Sequence, residues 1–155
     1  MIALQDSTQA ASAVSGTPRA ILRLESGFVL TCAVMAFAWH GGQWSLFALL
    51  FLIPDLSMLG YLANARIGAI SYNFAHAYVL PLAAGLIGVV YSQSFCIDGA
   101  LIWIAHIGFD RMLGYGLKYG SAFGHTHLGH VGRARQVSAD RMGLPAHAIS
   151  PAHEA

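Results

Sequence analysis

Charge is scarce in this chain: 10% of its 155 residues are Asp, Glu, Lys or Arg, against about 25% in an ordinary soluble domain. Eight Lys and Arg with seven Asp and Glu are too few to clothe a soluble fold of this length in a polar shell. The net charge of +1 excludes a broad basic face for nucleic acid and an acidic tail for a basic partner. Cysteine is scarce too. Cys32 and Cys96 both lie in apolar runs, which excludes a disulfide framework and suits small packing residues. The start of the chain lacks the positive segment and short apolar core of a cleaved signal peptide, and residues 1–18 are expected to form a disordered lead-in.

Apolar residues make up 56% of the chain, and they fall into four stretches: Ala20–Trp39, Trp44–Ala63, Gly68–Tyr91 and Ile97–Leu117. Each is close to the roughly 20 residues that a helix needs to cross a hydrocarbon core of about 30 Å. The connections are short, so neighbouring helices should run antiparallel. The expected fold is all-α: a polytopic membrane protein, an antiparallel bundle of four transmembrane helices over residues 19–130. Beyond Tyr119 no apolar period continues, and residues 131–155 are expected to be a disordered cytoplasmic tail.

Orientation follows from the loops, because Lys and Arg accumulate on the cytoplasmic side. Arg19 and Arg23 open the first stretch, Arg66 sits between the second and third, and Lys118, Arg133, Arg135 and Arg141 follow the fourth. The other two loops carry neither. Both termini are therefore expected in the cytoplasm, with Trp39, Trp44 and Tyr91 in an outer aromatic belt.

Several polar residues interrupt the apolar stretches: Glu25, Asp55, Asn73, His76, His106, Asp110 and Arg111. At about 1.5 Å of rise per residue, Asp55, His76 and Asp110 each lie roughly 10–12 Å in from the cytoplasmic end. They form one layer. A charge at mid-bilayer costs roughly 2.5–3.5 kcal/mol on insertion scales, so these residues should face the bundle interior. His106 and Asp110 are spaced i, i+4 and share a helix face, as do Tyr72 and His76. Two histidines with up to three carboxylates at one depth make a ligand set for one divalent metal, zinc, iron or manganese. The metal ligands expected are Asp55, His76, His106 and Asp110. The bland alternatives are a hydrogen-bonded polar network, with Arg111 balancing Asp55, Asp110 or Glu25, and a proton path.

Pro54 and Pro81 each free a backbone carbonyl within a span, and Pro54 could aim Asp55 inward. The glycines Gly60, Gly108, Gly114 and Gly116 allow close helix approach. The segment GHTHLGH, Gly124–His130, carries His125, His127 and His130; a lid or surface metal site competes there with an exposed polar tail, the favoured reading. His40, His147 and His153 read as solvated.

Longer motifs carry a resemblance. PDLSMLGY at Pro54–Tyr61, YNFAHAYVLP at Tyr72–Pro81 and WIAHIGFDRMLGYGLKY at Trp103–Tyr119, with RLE at Arg23–Glu25 and THLG at Thr126–Gly129, resemble a bacterial family of small four-helix membrane proteins. That family carries only a domain-of-unknown-function label. The resemblance implies a multi-pass protein of the bacterial inner membrane and no activity. A weaker similarity is to bacterial inner-membrane proteins assigned as metal-dependent hydrolases, with Asp55, His76, His106 and Asp110 at the matching positions. This chain departs from them in reading PDLS and YNFAH, where they carry a second acid and the motifs HRG and THS.

Two functions stay open. As a hydrolase, the protein would hold its cation in the layer and activate water. Asp110 and Arg111 would then be the catalytic pair, with Arg111 receiving a phosphate or carboxylate of a lipid-like substrate. As a non-enzyme, it would be an accessory or structural subunit held together by its polar layer. The partners expected are the lipid bilayer, a lipid-like substrate and a second copy of the chain as a homodimer, with no nucleic acid.

Overall fold

The computed structural model describes residue 14, residues 16–120 and residues 125–130. Its helical body comprises α1 (Gly16–His40), α2 (Trp44–Leu50), a 3₁₀ segment (Ile53–Leu62), α3 (Ala65–Ala75), α4 (Val79–Val90) and α5 (Ser94–Leu113). A small hairpin follows, β1 (His125–Thr126) paired antiparallel with β2 (Gly129–His130). Three stretches are long and apolar enough to cross a membrane: Gly16–His40, Trp44–Leu62 and Ala65–Val90.

The packing is inverted relative to a soluble protein. Large apolar side chains such as Leu24, Phe28, Leu49, Phe74 and Val79 stand at the surface, while Ala33, Ala69, Ala100 and Ala105 are buried. Lipid rewards that arrangement, because helices without a hydrophobic drive between them associate through small residues that let backbones approach. At Gly108 an added Cβ would meet Leu30 N at 2.9 Å and Ser26 O at 3.0 Å, so α1 lies directly on α5. The two run antiparallel: Arg23 Nε donates to Met112 O at 2.7 Å at one end, and His40 Nδ1 meets Asp98 Oδ1 at 2.8 Å at the other. His40 is exposed, as expected, but is paired with Asp98.

The second and third stretches are not single helices. After Leu50 the chain tightens into the 3₁₀ segment, with Pro54 at its first turn, where a missing N–H costs nothing. Three residues per turn sort this segment into rows. Ile53, Leu56, Leu59 and Leu62 form one row and are all exposed. Pro54, Ser57 and Gly60 form the next and face α3: the Ser57 carbonyl accepts from Ser71 Oγ at 2.7 Å, and a Cβ on Gly60 would lie 3.2 Å from Gly68 Cα. Asp55, Met58 and Tyr61 make the third row.

The third stretch breaks at residues 76–78, between α3 and α4. Pro81 supplies the cause, since it has no N–H for the Ala77 carbonyl and its ring crowds that oxygen. The carbonyls freed just before it find side chains instead. Trp103 Nε1 donates to Ala75 O at 2.6 Å and Arg111 Nη2 to His76 O at 3.2 Å. Broken backbone is tolerated at membrane depth where protein re-satisfies it in this way.

The last helix ends at Leu113, short of the expected Leu117, because Gly114 takes the left-handed conformation at φ 100° and caps it. The following chain is not an exposed tail. His127 N donates to Leu117 O at 3.0 Å, Lys118 bridges Thr126, and Thr126 and Leu128 are buried. At the other end, α1 begins at Gly16, inside the expected lead-in, and Val14 N bonds His127 O at 3.0 Å. The remainder of that lead-in, and the expected tail over residues 131–155, lie outside the described residues.

Candidate metal centre

The interruptions in the two spans meet α5 at one point. Asp55 comes from the first turn of the 3₁₀ segment, His76 from the break after α3, and His106 and Asp110 from one face of α5. Each offers one ligand atom, and the four atoms lie within 4.8 Å of one another. His76 Nε2 is 3.1 Å from His106 Nε2, 3.4 Å from Asp110 Oδ2 and 3.6 Å from Asp55 Oδ1. His106 Nε2 is 3.6 Å from Asp55 Oδ1 and 3.9 Å from Asp110 Oδ2. Tetrahedral coordination with bonds of about 2.0–2.2 Å sets ligand atoms about 3.3–3.6 Å apart, so these spacings fit a shared cation. The histidines are 3% and 1% exposed, which keeps them out of contact with the outer surface.

Hydrogen bonding fixes what these atoms can do. His76 Nδ1 lies 2.9 Å from the Tyr72 carbonyl; a carbonyl only accepts, so Nδ1 carries a proton and Nε2 is the ring atom turned toward the cluster. The Tyr72 ring stacks on His76 at 3.7 Å, and its hydroxyl donates to Asp110 Oδ2 at 2.9 Å. One residue thus orients two of the four. His106 Nδ1 is directed toward the Phe51 backbone, short of full hydrogen-bond geometry, and its ring packs edge-on against Phe51 at 5.3 Å.

Two cavities flank the cluster. A polar one of about 250 Å³ is bordered by Asp55, Met58, Tyr72, Asp110, Tyr115 and Lys118. Lys118 lies beyond the last helix, and burial pulls its pKa down to about 8, against the opposing pull of Asp110 and Asp55. The other cavity, about 510 Å³ and almost wholly apolar, is walled in part by Pro54, Phe74, Ala75, Phe95 and Trp103. Pro54 and Ala75 are the chain neighbours of Asp55 and His76.

Arg111 does not join this group. It points away from Asp110, holding the His76 carbonyl and lying over the Tyr78 ring at 4.5 Å. Among the described residues no ion pair joins it to Asp55 or Glu25. Glu25 is exposed and borders a separate small cavity with Arg111 and Tyr78, so the carboxylates of the cluster number two rather than three. His127 is engaged elsewhere, its Nδ1 accepting from Leu117 N at 2.9 Å. The side chains of His125 and His130 lie outside the described residues. Sequence reasoning noted Tyr72 only for its spacing to His76, and Lys118 only as a loop charge.

Fold and site together define a helical membrane protein with a buried His/Asp group where two interrupted spans meet a central helix. The chain belongs to the family described as Domain of unknown function (DUF4260), whose profile matches residues 19–131. It is also similar to the Golgi apparatus membrane protein TVP38 of Debaryomyces hansenii, 26% identical over 102 residues, which cover 64% of this chain and 25% of that protein. The chain thus spans about a quarter of that relative's length. No solved structure matches it.

Proposed function

We propose that this protein is a multi-pass protein of the bacterial inner membrane, crossing four times with both termini in the cytoplasm. It holds one divalent cation among Asp55, His76, His106 and Asp110 to hydrolyse a lipid-like substrate. The observation that carries the reading is the convergence of two imidazole nitrogens and two carboxylate oxygens within 4.8 Å of one another. Two carboxylates brought this close repel one another; a cation turns the repulsion into coordination. Zinc, iron and manganese all take this mixed imidazole and carboxylate set.

A bound cation supplies Lewis acidity and lowers the pKa of a coordinated water. The polar cavity gives that water a place beside the two carboxylates. Asp110, held by Tyr72, is the residue best oriented to steer it. The apolar cavity beside Pro54 and Ala75 has the size of a ligand pocket and suits a hydrocarbon chain whose head lies at the cluster. Arg111 supports the site from outside, as a cap on the broken helix, rather than as a catalytic residue. Four crossings are supported by α5 itself: its polar residues turn inward, and its 20 residues reach about 30 Å.

Elemental analysis of detergent-purified protein tests the reading. Close to one zinc, iron or manganese per chain is expected, and Asp110→Asn and His106→Ala should each lose it together with thermal stability. A metal-free wild-type protein that stays folded would instead leave the cluster as structural glue in an accessory subunit.

A further inference from the structure

Where α1 begins and α5 ends lies a small cavity of about 140 Å³ that the cluster does not use. Its polar wall is made by Glu25 of α1, Tyr78 at the break before α4, Arg111 in the last turn of α5 and His127 in the turn between β1 and β2. Ser26 also borders it, but its hydroxyl is held by the Leu22 carbonyl at 2.7 Å. The Tyr78 Oη is buried with no hydrogen-bond partner among the described residues, a costly state that a group in the cavity would relieve. His127 Nδ1 accepts from Leu117 N, so the neutral ring carries its proton on Nε2 as a donor. Arg111 commits Nη2 to the His76 carbonyl, which is one of several N–H groups on its fork. Glu25 brings the opposite charge to the same cavity, and among the described residues it forms no ion pair.

The charges then decide the ligand. A guanidinium and a carboxylate that border one cavity without closing on each other draw an anionic group to one side and a cationic group to the other. A ligand with only one sign of charge meets a repulsion. The guanidinium, the phenol O–H and the imidazole N–H are all donors, suited to the oxygens of a phosphate. The Tyr78 ring, the aromatic surface that could seat a quaternary ammonium, already lies under Arg111 at 4.5 Å, so the cationic group has to be one that donates hydrogen bonds to the carboxylate. Exposed Ile21, Leu24 and Phe28 on the same turns of α1 bring hydrocarbon alongside. We propose that this cavity binds a phosphate ester bearing a primary ammonium, the head of an ethanolamine phospholipid, with Arg111 and Tyr78 on the phosphate and Glu25 on the ammonium. The site stands apart from the His/Asp cluster and does not rest on the metal reading.

Native mass spectrometry of the full-length protein in detergent tests it, with phosphatidylethanolamine, phosphatidylcholine and phosphatidylglycerol of the same chains supplied at equal concentration. Wild-type protein should retain the ethanolamine lipid about tenfold more strongly than the other two, the effect of one charged hydrogen bond. Glu25→Gln changes an exposed position and should abolish that preference in a folded protein. Tyr78→Phe keeps the ring under Arg111, loses the hydroxyl and should weaken retention of all three lipids. Soluble phosphoethanolamine at the same concentration separates the sources: an ethanolamine lipid that stays bound against it assigns the lipid head, and one that it displaces assigns the free zwitterion. Equal retention of the three lipids by wild type overturns the proposal, as does an undiminished preference in Glu25→Gln or unchanged retention in Tyr78→Phe. Should either variant fail to fold, the other decides.

Discussion

The Tyr72 carbonyl accepts from both the backbone N–H and the ring Nδ1 of His76, at 2.8 and 2.9 Å, while its hydroxyl holds Asp110. Partners of this kind set the tautomer and direction of a ligand, and their loss typically costs about 10–100-fold in metal affinity. Tyr72→Phe removes the bond to Asp110 and leaves the stacking, so metal affinity should fall by about that factor with little change in fold; competition with a fluorescent chelator reads it. Arg111 makes a different contribution. Arg111→Met strands the His76 carbonyl in a part-buried place, which should lower stability by about 1–3 kcal/mol in detergent unfolding, with Glu25→Gln leaving it unchanged. The spacing of His106 and Asp110 was legible from one helix period. The direction of Arg111 was only half legible: about 100° per residue turned it from Asp110, but nothing in a linear sequence shows that a broken helix offers it a bare carbonyl. His127 gives a pH test. Burial lowers its pKa from the ordinary value, and the neighbouring Arg111 charge pulls it the same way. The unfolded chain therefore takes up the proton more readily than the folded one. The docking that His127 contributes is fully present above about 6.5, the unperturbed value, and is lost as pH falls from there through the lower folded-state value. Hydrogen exchange at the Leu117 amide should accelerate over that range, and His127→Asn, which keeps an acceptor that does not titrate, should abolish the pH dependence.

At the scale of elements, the cluster depends on how closely α1, α5 and the interrupted spans approach. Gly108 lies between His106 and Asp110 on the helix that carries both, and its face is filled by the Ser26 and Leu30 backbone. Backbone cannot swing aside as a side chain can. Gly108→Ala should therefore separate α1 from α5, lower stability by about 1–3 kcal/mol as overpacking does, and reduce metal content measured by elemental analysis. Full stability with full metal would mean that α1 is not seated there. Three of the four expected apolar stretches were legible as membrane-crossing lengths, since length and composition follow directly from the bilayer's thickness. The interruptions were less so. Pro81 pointed to a disturbed helix, yet its break lies at residues 76–78, about one turn earlier, where the crowded carbonyl sits. The 3₁₀ segment has a visible period of three in Ile53, Leu56, Leu59 and Leu62, which an α-helical reading of an apolar run passes over. Nothing before Lys118 announces that the chain returns to pair with Asn73 and then with Thr126. Contacts between residues 45 positions apart leave no local signature.

Among the described residues, the Lys and Arg side chains and the exposed tryptophans separate toward opposite ends. At one end, Arg23 reaches the last turn of α5, and Gly120 lies against Arg66, within 3.8 Å of its Cα once a Cβ is added. Arg19, Arg23, Arg66 and Lys118 thus gather where α1 begins and α5 ends. At the other end, His40 meets Asp98, and Trp39, Trp44 and Tyr91 stand exposed beside loops without Lys or Arg. The orientation proposed above keeps the positive charge in the cytoplasm and the aromatic rings at the far interface, which would set the cluster nearer the cytoplasmic face. Even numbers of crossings follow if the chain enters and leaves at the same end. Reporter fusions made after Arg66 and after Lys118 should therefore both signal from the cytoplasm, whereas reporters inserted after Gln43 and after Ser92 should signal from outside. The last of these sites separates four crossings from two, because it signals from the cytoplasm if the third and fourth stretches lie wholly on that side. An external signal after Arg66 would invert the protein, and a cytoplasmic signal after Ser92 would remove the last two crossings and with them the membrane depth at which His106 and Asp110 meet Asp55.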